Sequence, residues 1–228
     1  MKIGIIGGTG GQGLGIAIRF VQAGKDVIIG SRAVEKAQEA VDKIKELLEK
    51  DDIPNLKAAE NPNAASEADI LVLTVPLAAQ QPTLLSIKEG AAGKILMDAT
   101  GPLETAIGGP PTRCLYLSEG AAAERAQKIL PDTTVICAFN NISSGALMNF
   151  TEPIDCDCLI AGDDQEAKVT VAKLIERIPG VQVVDCGPLE RAQIIEKITP
   201  LLIGLNIKKT CTDAGIRITG IDPECKLY

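Results

Sequence analysis

The stretch IIGGTGGQGLGIAIRF, residues 5–20, decides the fold. A short apolar run of the kind found in buried strands meets a cluster of glycines and then continues in a pattern typical of a helix. Gly8, Gly10 and Gly13 follow the GxGxxG spacing, in which glycines permit a tight turn and a close approach of the backbone to a phosphate. Because the N-terminus of the following helix would point at that phosphate, the stretch predicts a dinucleotide-binding turn.

The rest of the first 150 residues alternates strands with helices. Apolar, β-branched runs predict parallel strands, buried on both faces, at 2–7, 26–31, 69–75, 94–100 and 133–139. The clearest helix is predicted at 34–50, where apolar residues recur at three- and four-residue steps. This alternation predicts an α/β fold, a doubly wound parallel sheet of the Rossmann type, with residues 1–150 as the nucleotide-binding domain.

Residues 151–228 are predicted to form a small C-terminal α/β extension. Its order is a strand at 156–162, a helix at 164–178, a strand at 181–187 and a helix at 189–209. It is too small for an independent catalytic domain, so we expect it to complete the substrate cleft. The apolar part of its last helix, at 193–207, favours a dimer contact and hence a homodimer.

One connection, TGPLETAIGGPPTRCLYLS at 100–118, is long and rich in Gly and Pro. It follows the carboxyl end of a predicted strand, where ligands bind in this fold. We therefore expect it to cover the second substrate and to be more mobile when that substrate is absent.

Composition, net charge and the start of the sequence indicate which partners and which location to expect for this protein. The net charge of −7 and the sequence pI near 4.8 disfavour a nucleic-acid partner, which needs clustered Lys and Arg. The start MKIGIIGG has an apolar run too short for a signal peptide or a membrane span, so a cytoplasmic, soluble protein is expected.

The seven cysteines lack the even, dense spacing of a disulfide framework, and most of them are expected to be reduced, buried thiols. Cys156 and Cys158 alternate along a predicted strand and therefore point to one face, with no second pair or histidine to complete a metal site. We interpret them as core residues and predict no metal.

The end of the second strand indicates which nicotinamide cofactor binds. An NAD site carries an acidic residue there, about twenty positions beyond the glycines, to bind the ribose hydroxyl. In this chain Ser31 and Arg32 take its place, and Lys36 follows one helical turn later. A hydroxyl and two cations suit a 2′-phosphate, so the predicted cofactor is NADP.

The absence of certain residue types from the sequence excludes several classes of dehydrogenase. The chain contains no histidine, the usual acid or base of hydroxy-acid dehydrogenases. Short-chain dehydrogenases use a Tyr with a Lys four positions on, but Tyr116 is followed by Gly120 at that offset and Tyr228 is the last residue. Two kinds of reaction remain. One is hydride transfer to a second hydride carrier, which needs two stacked rings more than it needs a proton relay. The other is imine or acid chemistry that uses a Lys or an Asp side chain.

Several stretches together resemble the archaeal coenzyme F420-dependent NADP reductases. They are MKIGIIGGTGGQGLGIAIRF at the start, GSR with Lys36, LTVPL at 73–77, VICAFNNIS at 135–143, DCLIAGDD at 157–164 and CGPLERAQIIEKITPLLIGLNIK at 186–208. The similarity spans nearly the whole chain. It implies reversible hydride transfer between reduced F420, a 5-deazaflavin, and NADP+.

The resemblance also implies a set of cofactor-binding residues. Those for the pyrophosphate would be Thr9, Gly10, Gly11 and Gln12, and those for the 2′-phosphate Ser31, Arg32 and Lys36. Those around the two rings would be Thr74, Val75, Pro76, Leu77, Asn140, Ile142 and Ser144, with Ala214 in a closing segment at 214–218. Some family members have a histidine in place of Asn140, which leaves this residue as a hydrogen-bonding partner of a ring and the one candidate catalytic side chain.

Two other functions stay open at this point. One is an NADP-dependent imine or hydroxy-acid reductase with Lys197 as the acid, and the other is a non-catalytic protein that senses NADP. For the segment NNISSGAL at 140–147, the alternative to ligand binding is a helix N-cap formed by Ser143 or Ser144.

Overall fold

The computed structural model describes residues 1–221 and residue 227. Six strands form one parallel sheet: β1 Lys2–Ile6, β2 Asp26–Ser31, β3 Leu56–Glu60, β4 Ile70–Leu73, β5 Ile95–Asp98 and β6 Thr134–Cys137. Their order across the sheet is β3-β2-β1-β4-β5-β6. Because β1 pairs with β2 on one side and with β4 on the other, the direction of winding reverses there, and a crevice opens at the carboxyl ends of these strands.

Helices cover both faces of this sheet, and a second sheet follows it. The helices are α1 Gly11–Gln22, α2 Val34–Leu47, α3 Asn61–Glu67, α4 Leu77–Ala91, α5 Ala122–Ile129, α6 Ser144–Met148, α7 Gln165–Ile175 and α8 Ala192–Ile207. Two parallel strands, β7 Cys156–Ile160 and β8 Val181–Asp185, form the second sheet. The predicted α/β fold with a doubly wound sheet and a small C-terminal extension is confirmed.

The hydrophobic core continues across residue 150. Alternate residues of β1 point to opposite faces, so Ile5 belongs to one apolar cluster and Ile6 to the other. The first cluster also holds Ile160 of β7, and the second holds Ile195 of α8. An antiparallel bridge between Cys137 and Ala161 joins the two sheets. The division of the chain near residue 150 stays a prediction.

The sequence patterns differ from the structure mainly at element ends. β3 was not predicted, because its sequence LKAAE has no β-branched residue and the strand pairs on one side only, with β2. The helix predicted at 34–50 ends at Leu47, and the strands predicted at 69–75 and 94–100 end at Leu73 and Asp98. Thr74, Val75 and Ala99, which follow those two strand ends, line the crevice.

The cysteines occupy varied environments. Cys137, Cys156 and Cys158 are buried free thiols, as predicted for the pair on β7. Cys114 and Cys186 are half-buried, and Cys211 is exposed, so the expectation of mostly buried cysteines was too broad. Cys225 and Tyr228 lie outside the described residues.

In residues 1–221 and 227, no helix combines the length and the apolar character needed to cross a bilayer.

Candidate functional site

The glycine-rich turn between β1 and α1 uses each glycine differently. A Cβ on Gly13 would lie 2.6 Å from the Cα of Gly8 and 2.8 Å from Oγ1 of Thr74, so Gly13 permits close packing of helix on strand. A Cβ on Gly10 would have no heavy atom within 4 Å. Gly10 therefore faces open space at the start of α1, where the first N–H groups of the helix have no intrahelical partners. This open cradle at a helix N-terminus fits a pyrophosphate.

Two residues that shape this turn, one within it and one in α3, were not found from the sequence. Gly7, which precedes the GxGxxG spacing, is the residue of the turn with positive φ, at 72°. Its N–H donates to Oδ1 of Asn61 at 3.1 Å. Asn61 is 54 positions away along the chain and begins α3, so no local pattern indicates its role.

The end of β2 places the three residues predicted for the 2′-phosphate outside the main crevice. Ser31 is the last residue of the strand and is buried, whereas Arg32 and Lys36 are exposed. Nζ of Lys36 lies 2.8 Å from a carboxylate oxygen of Glu39, an ion pair that the sequence analysis did not consider. Arg32 takes part in none of the ion pairs found between described residues.

A crevice of about 750 Å³ opens at the carboxyl edge of the sheet. It brings together most of the predicted site residues, namely Gly10, Gly11, Gln12, Thr74, Val75, Pro76, Leu77, Asn140, Ile142, Ser144 and Ala214. The predicted residues that do not line it are Gly8, Thr9, Gly13, Ser31, Arg32 and Lys36. Gly8 and Gly13 are buried beneath the turn, and Thr9 is exposed beside it.

The crevice has further walls that the sequence analysis assigned to no ligand. Loop residues Leu103 and Ala106 line it, as do Leu202 and Ile203 of α8. Every lining residue is uncharged, and none of them is an acid, a base or a cysteine. The described crevice therefore offers hydrogen bonds and apolar surface, but no side chain that exchanges a proton near neutral pH.

Lys197, the acid of the alternative imine-reductase interpretation, lies outside this crevice. It is exposed on α8, and its Nζ lies 5.7 Å from the centre of the Tyr116 ring. Tyr116 is itself 94% exposed. The structure therefore places Lys197 at the surface, against an aromatic ring, and not among the residues that line the crevice.

Asn140 connects two strand ends at the floor of the crevice. Its Nδ2 donates to the carbonyl oxygen of Thr100 at 3.1 Å, its Oδ1 accepts from Sγ of Cys137 at 3.2 Å, and its backbone oxygen accepts from Oγ1 of Thr199 at 2.8 Å. The side chain is 5% exposed. An amide has two donor hydrogens and two acceptor lone pairs, so one of each remains for a ligand.

The backbone around Asn140 is held in an uncommon conformation. Phe139, which is fully buried, has a φ of 67°, and its carbonyl oxygen accepts from Nε2 of Gln12 at 2.9 Å. Positive φ at a non-glycine residue marks a site where the surrounding structure imposes the conformation. Ser143 caps α6 by accepting from the N–H of Gly145 at 3.1 Å, so the predicted cap is Ser143, and Ser144 lines the crevice.

The loop at 100–118 is ordered by internal contacts. It contains a 3-10 turn at Glu104–Ile107 and an antiparallel bridge between Leu103 and Cys114. Ile107 is 72% exposed. Several of its residues line the crevice, and its roles as a cover over the second substrate and as a mobile segment stay predictions.

Two buried acids lie behind the crevice wall. Burial raises the pKa of Asp98 to about 6, although hydrogen bonds from Thr100 and Gln80 act in the opposite direction. Burial likewise raises the pKa of Glu196 to about 8, against hydrogen bonds from the N–H groups of Ala122 and Ala123. Glu196 of α8 thus caps α5. Neither acid lines the crevice.

The segment after α8 returns to the crevice and is fixed to β7. Ala214 lines the crevice, and its N–H donates to Oδ1 of Asn206 at 2.9 Å. Arg217 then donates to the carboxylates of Asp155 at 2.7 Å and Asp157 at 2.6 Å. Asp157 is 1% exposed, so this anchor is partly buried. The predicted closing segment at 214–218 is therefore tied to the second sheet.

Comparison with known proteins adds to this geometry. The family model described as "NADP oxidoreductase coenzyme F420-dependent" matches residues 2–102. An F420-dependent NADP reductase of Methanothermobacter thermautotrophicus is 54% identical over 223 residues, which cover 97% of this chain and 96% of that protein. The chain belongs to the family of F420-dependent NADP reductases.

A second relative agrees with that assignment, and one solved structure shares the fold. The F420-dependent NADP reductase of Methanocaldococcus jannaschii is 46% identical over 97% of this chain and 100% of its own length. A solved structure from Arthrobacter sp. FB24, assigned as an F420-dependent NADP reductase, covers 96% of this chain with a TM-score of 0.82. At 23% sequence identity that likeness supports the fold alone.

Proposed function

We propose that this chain transfers a hydride between reduced coenzyme F420 and NADP+ within the crevice described above. The single observation that carries the proposal is the neutral lining of the crevice, read together with the family to which the chain belongs. When both are bound, the reduced deazaflavin supplies the hydride and the nicotinamide accepts it. The residues of this chain need only bind, orient and shield the two rings.

The NADP half of the proposed site is built on β1, α1 and β2. We assign the pyrophosphate to the turn of Thr9, Gly10, Gly11 and Gln12, because Gly10 faces open space at an uncapped helix N-terminus. Gly8 and Gly13 support this turn from below. We assign the 2′-phosphate to Ser31, Arg32 and Lys36, since a carboxylate that would repel it is missing from this strand end.

The ring-binding half is built on the strand ends that meet at the crevice. We assign the two rings to the space between Thr74–Leu77 and Asn140–Ser144, with Ala214 on the closing segment. Leu103, Leu202 and Ile203 offer apolar surface for the deazaflavin. Asn140 retains one donor and one acceptor for a ring amide or carbonyl, so its proposed role is to orient a ring.

An absorbance assay tests this function. We expect reduced F420 to be oxidised when NADP+ is added with the protein, and NADPH to reduce F420 in the opposite direction. Free FMN, tested as a control, should not replace F420. Tight NADP binding without any transfer would indicate the sensor interpretation, and turnover of small imines with NADPH but not of F420 would indicate an imine reductase.

We further infer from the sequence that the protein is cytoplasmic, does not bind nucleic acid and acts as a homodimer. The dimer inference is supported by the exposed face of α8, where the apolar residues Ile194 and Leu201 are seven positions, or about two turns of helix, apart. Ile194 and Leu201 are 57% and 61% exposed. Light scattering of the protein and of a Leu201→Glu variant tests it, because a monomeric parent would contradict the inference.

A further inference from the structure

Two helices begin at the crevice and lie against each other. α1 follows the glycine turn, whose Gly10, Gly11 and Gln12 line the crevice. α6 follows the segment in which Ser143 and Ser144 line it. The position of α1 against α6 therefore sets the separation between the proposed pyrophosphate site and the proposed ring site.

The contact between these helices depends on residues at four-residue steps along one face of α1. A Cβ on Gly11 would lie 3.8 Å from the Cβ of Ser144, and a Cβ on Gly15 would lie 2.5 Å from the Cβ of Leu147. The second distance is shorter than any ordinary contact, so Gly15 is required for this approach of the helices. The next residue on the same face is Arg19.

The guanidinium of Arg19 is buried and binds the end of α6. The side chain is 2% exposed, and burial lowers its pKa. It donates to five backbone carbonyl oxygens: from Nε to Leu147 at 3.1 Å, from Nη1 to Glu152 at 2.8 Å and Phe150 at 3.5 Å, and from Nη2 to Ala146 and Asn149, each at 2.8 Å.

No carboxylate of residues 1–221 or 227 forms an ion pair with this guanidinium. The positive charge of Arg19 is balanced instead by backbone carbonyl oxygens at the C-terminal end of α6, where a cation is favoured. All the N–H donors of the planar guanidinium point at backbone carbonyl oxygens. A lysine, with three donors on a flexible stem, cannot reproduce this set of bonds.

We propose that Arg19, together with Gly15, is a positioning residue for hydride transfer: it fixes α6 on α1 and so sets the separation between the pyrophosphate turn and the ring site, and with it the position of the nicotinamide relative to the deazaflavin. The inference rests on the proposed function. Hydride transfer requires the reacting carbons at close approach, and a displacement of about 1 Å costs about a hundredfold in rate. Arg19 is far enough along α1 to leave the phosphate turn itself unchanged.

The test compares Arg19→Lys and Gly15→Ala with Ile44→Ala, a control that shortens a fully buried side chain of α2, a helix outside the α1–α6 contact. Urea unfolding first establishes conditions in which all proteins are folded. Single-turnover mixing with saturating reduced F420 and NADP+ then gives the rate constant of hydride transfer, and a titration gives the Kd for NADP. Hydrogen exchange of the segment 144–152 is measured on the proteins without cofactors.

We expect both variants of the α1–α6 contact to transfer hydride about tenfold to a hundredfold more slowly, with the Kd for NADP within about twofold of the parent. Exchange in 144–152 should be faster in these variants and unchanged in Ile44→Ala. A rate constant that falls no further than in Ile44→Ala, or a Kd that rises in parallel with the loss of rate, would overturn the positioning role. A parent protein that moves no hydride between the two cofactors would overturn the proposed function itself.

Discussion

Replacing Arg32 with alanine should remove most of the preference for NADP over NAD. Arg32 is exposed and forms none of the ion pairs of the described residues, whereas Lys36 is already paired with Glu39 at 2.8 Å. A guanidinium donates two parallel hydrogen bonds to a phosphate, and such charge-assisted bonds contribute about 1.5 to 3 kcal/mol. Solvent at this exposed position screens the interaction, so we expect the lower part of that range, a loss of about tenfold in affinity for NADP.

The assay is a pair of titrations, with NADP and with NAD, at two salt concentrations. In Arg32→Ala the Kd for NAD should stay unchanged, and the Kd for NADP should become less sensitive to salt. Lys36→Ala should have a smaller effect, because Glu39 already neutralises this ammonium, and Lys43→Ala, farther along the exposed face of α2, should have none. An unchanged ratio of NADP to NAD affinity in Arg32→Ala would refute the assignment of the 2′-phosphate to this strand end.

Three further predictions concern the turn, the loop and the buried acids. Gly10→Ala should keep the melting temperature of the parent, because its Cβ meets no protein atom within 4 Å, but should weaken NADP binding; unchanged affinity would remove the pyrophosphate from the turn. Limited proteolysis should cut the loop at 100–118 more slowly when both cofactors are present, and equal cutting would exclude a cover over the second substrate. The free energy of unfolding should fall as pH rises through the folded pKa values of Asp98, about 6, and Glu196, about 8, because burial favours their protonated forms in the native state. The chain has no histidine that would titrate in this range. In urea unfolding at pH 5 to 9, Glu196→Gln should therefore flatten the upper part of the fall in the free energy of unfolding with pH. An equally steep fall in this variant would contradict the explanation that burial raises the pKa of Glu196.

What could be predicted from the sequence is what local patterns determine. The glycine spacing, the β-branched runs and the missing acid after β2 are each recognised from residues close together in the sequence. In the structure, the glycine turn after β1 and the end of β2 lie at the same carboxyl edge of the parallel sheet. Long-range contacts had no such signal. Asn61 reaches the turn from α3, and Arg19 appears in the sequence as an ordinary cation within a helix although it is almost fully buried. Their partners are backbone groups 54 to 133 positions away, which no periodicity reveals.

The walls of the crevice come from opposite ends of the chain, and this has a consequence for biosynthesis. All six strands of the large sheet and the glycine turn are complete at Cys137, whereas α8 and Ala214 are made later. Domains fold as units, and the hydrophobic clusters of this fold join residues on both sides of residue 150, so neither half of the crevice should form on a nascent chain before β7 and α8 have left the ribosome. A growing chain would thus hold neither the hydride donor nor its acceptor until both walls of the crevice are present.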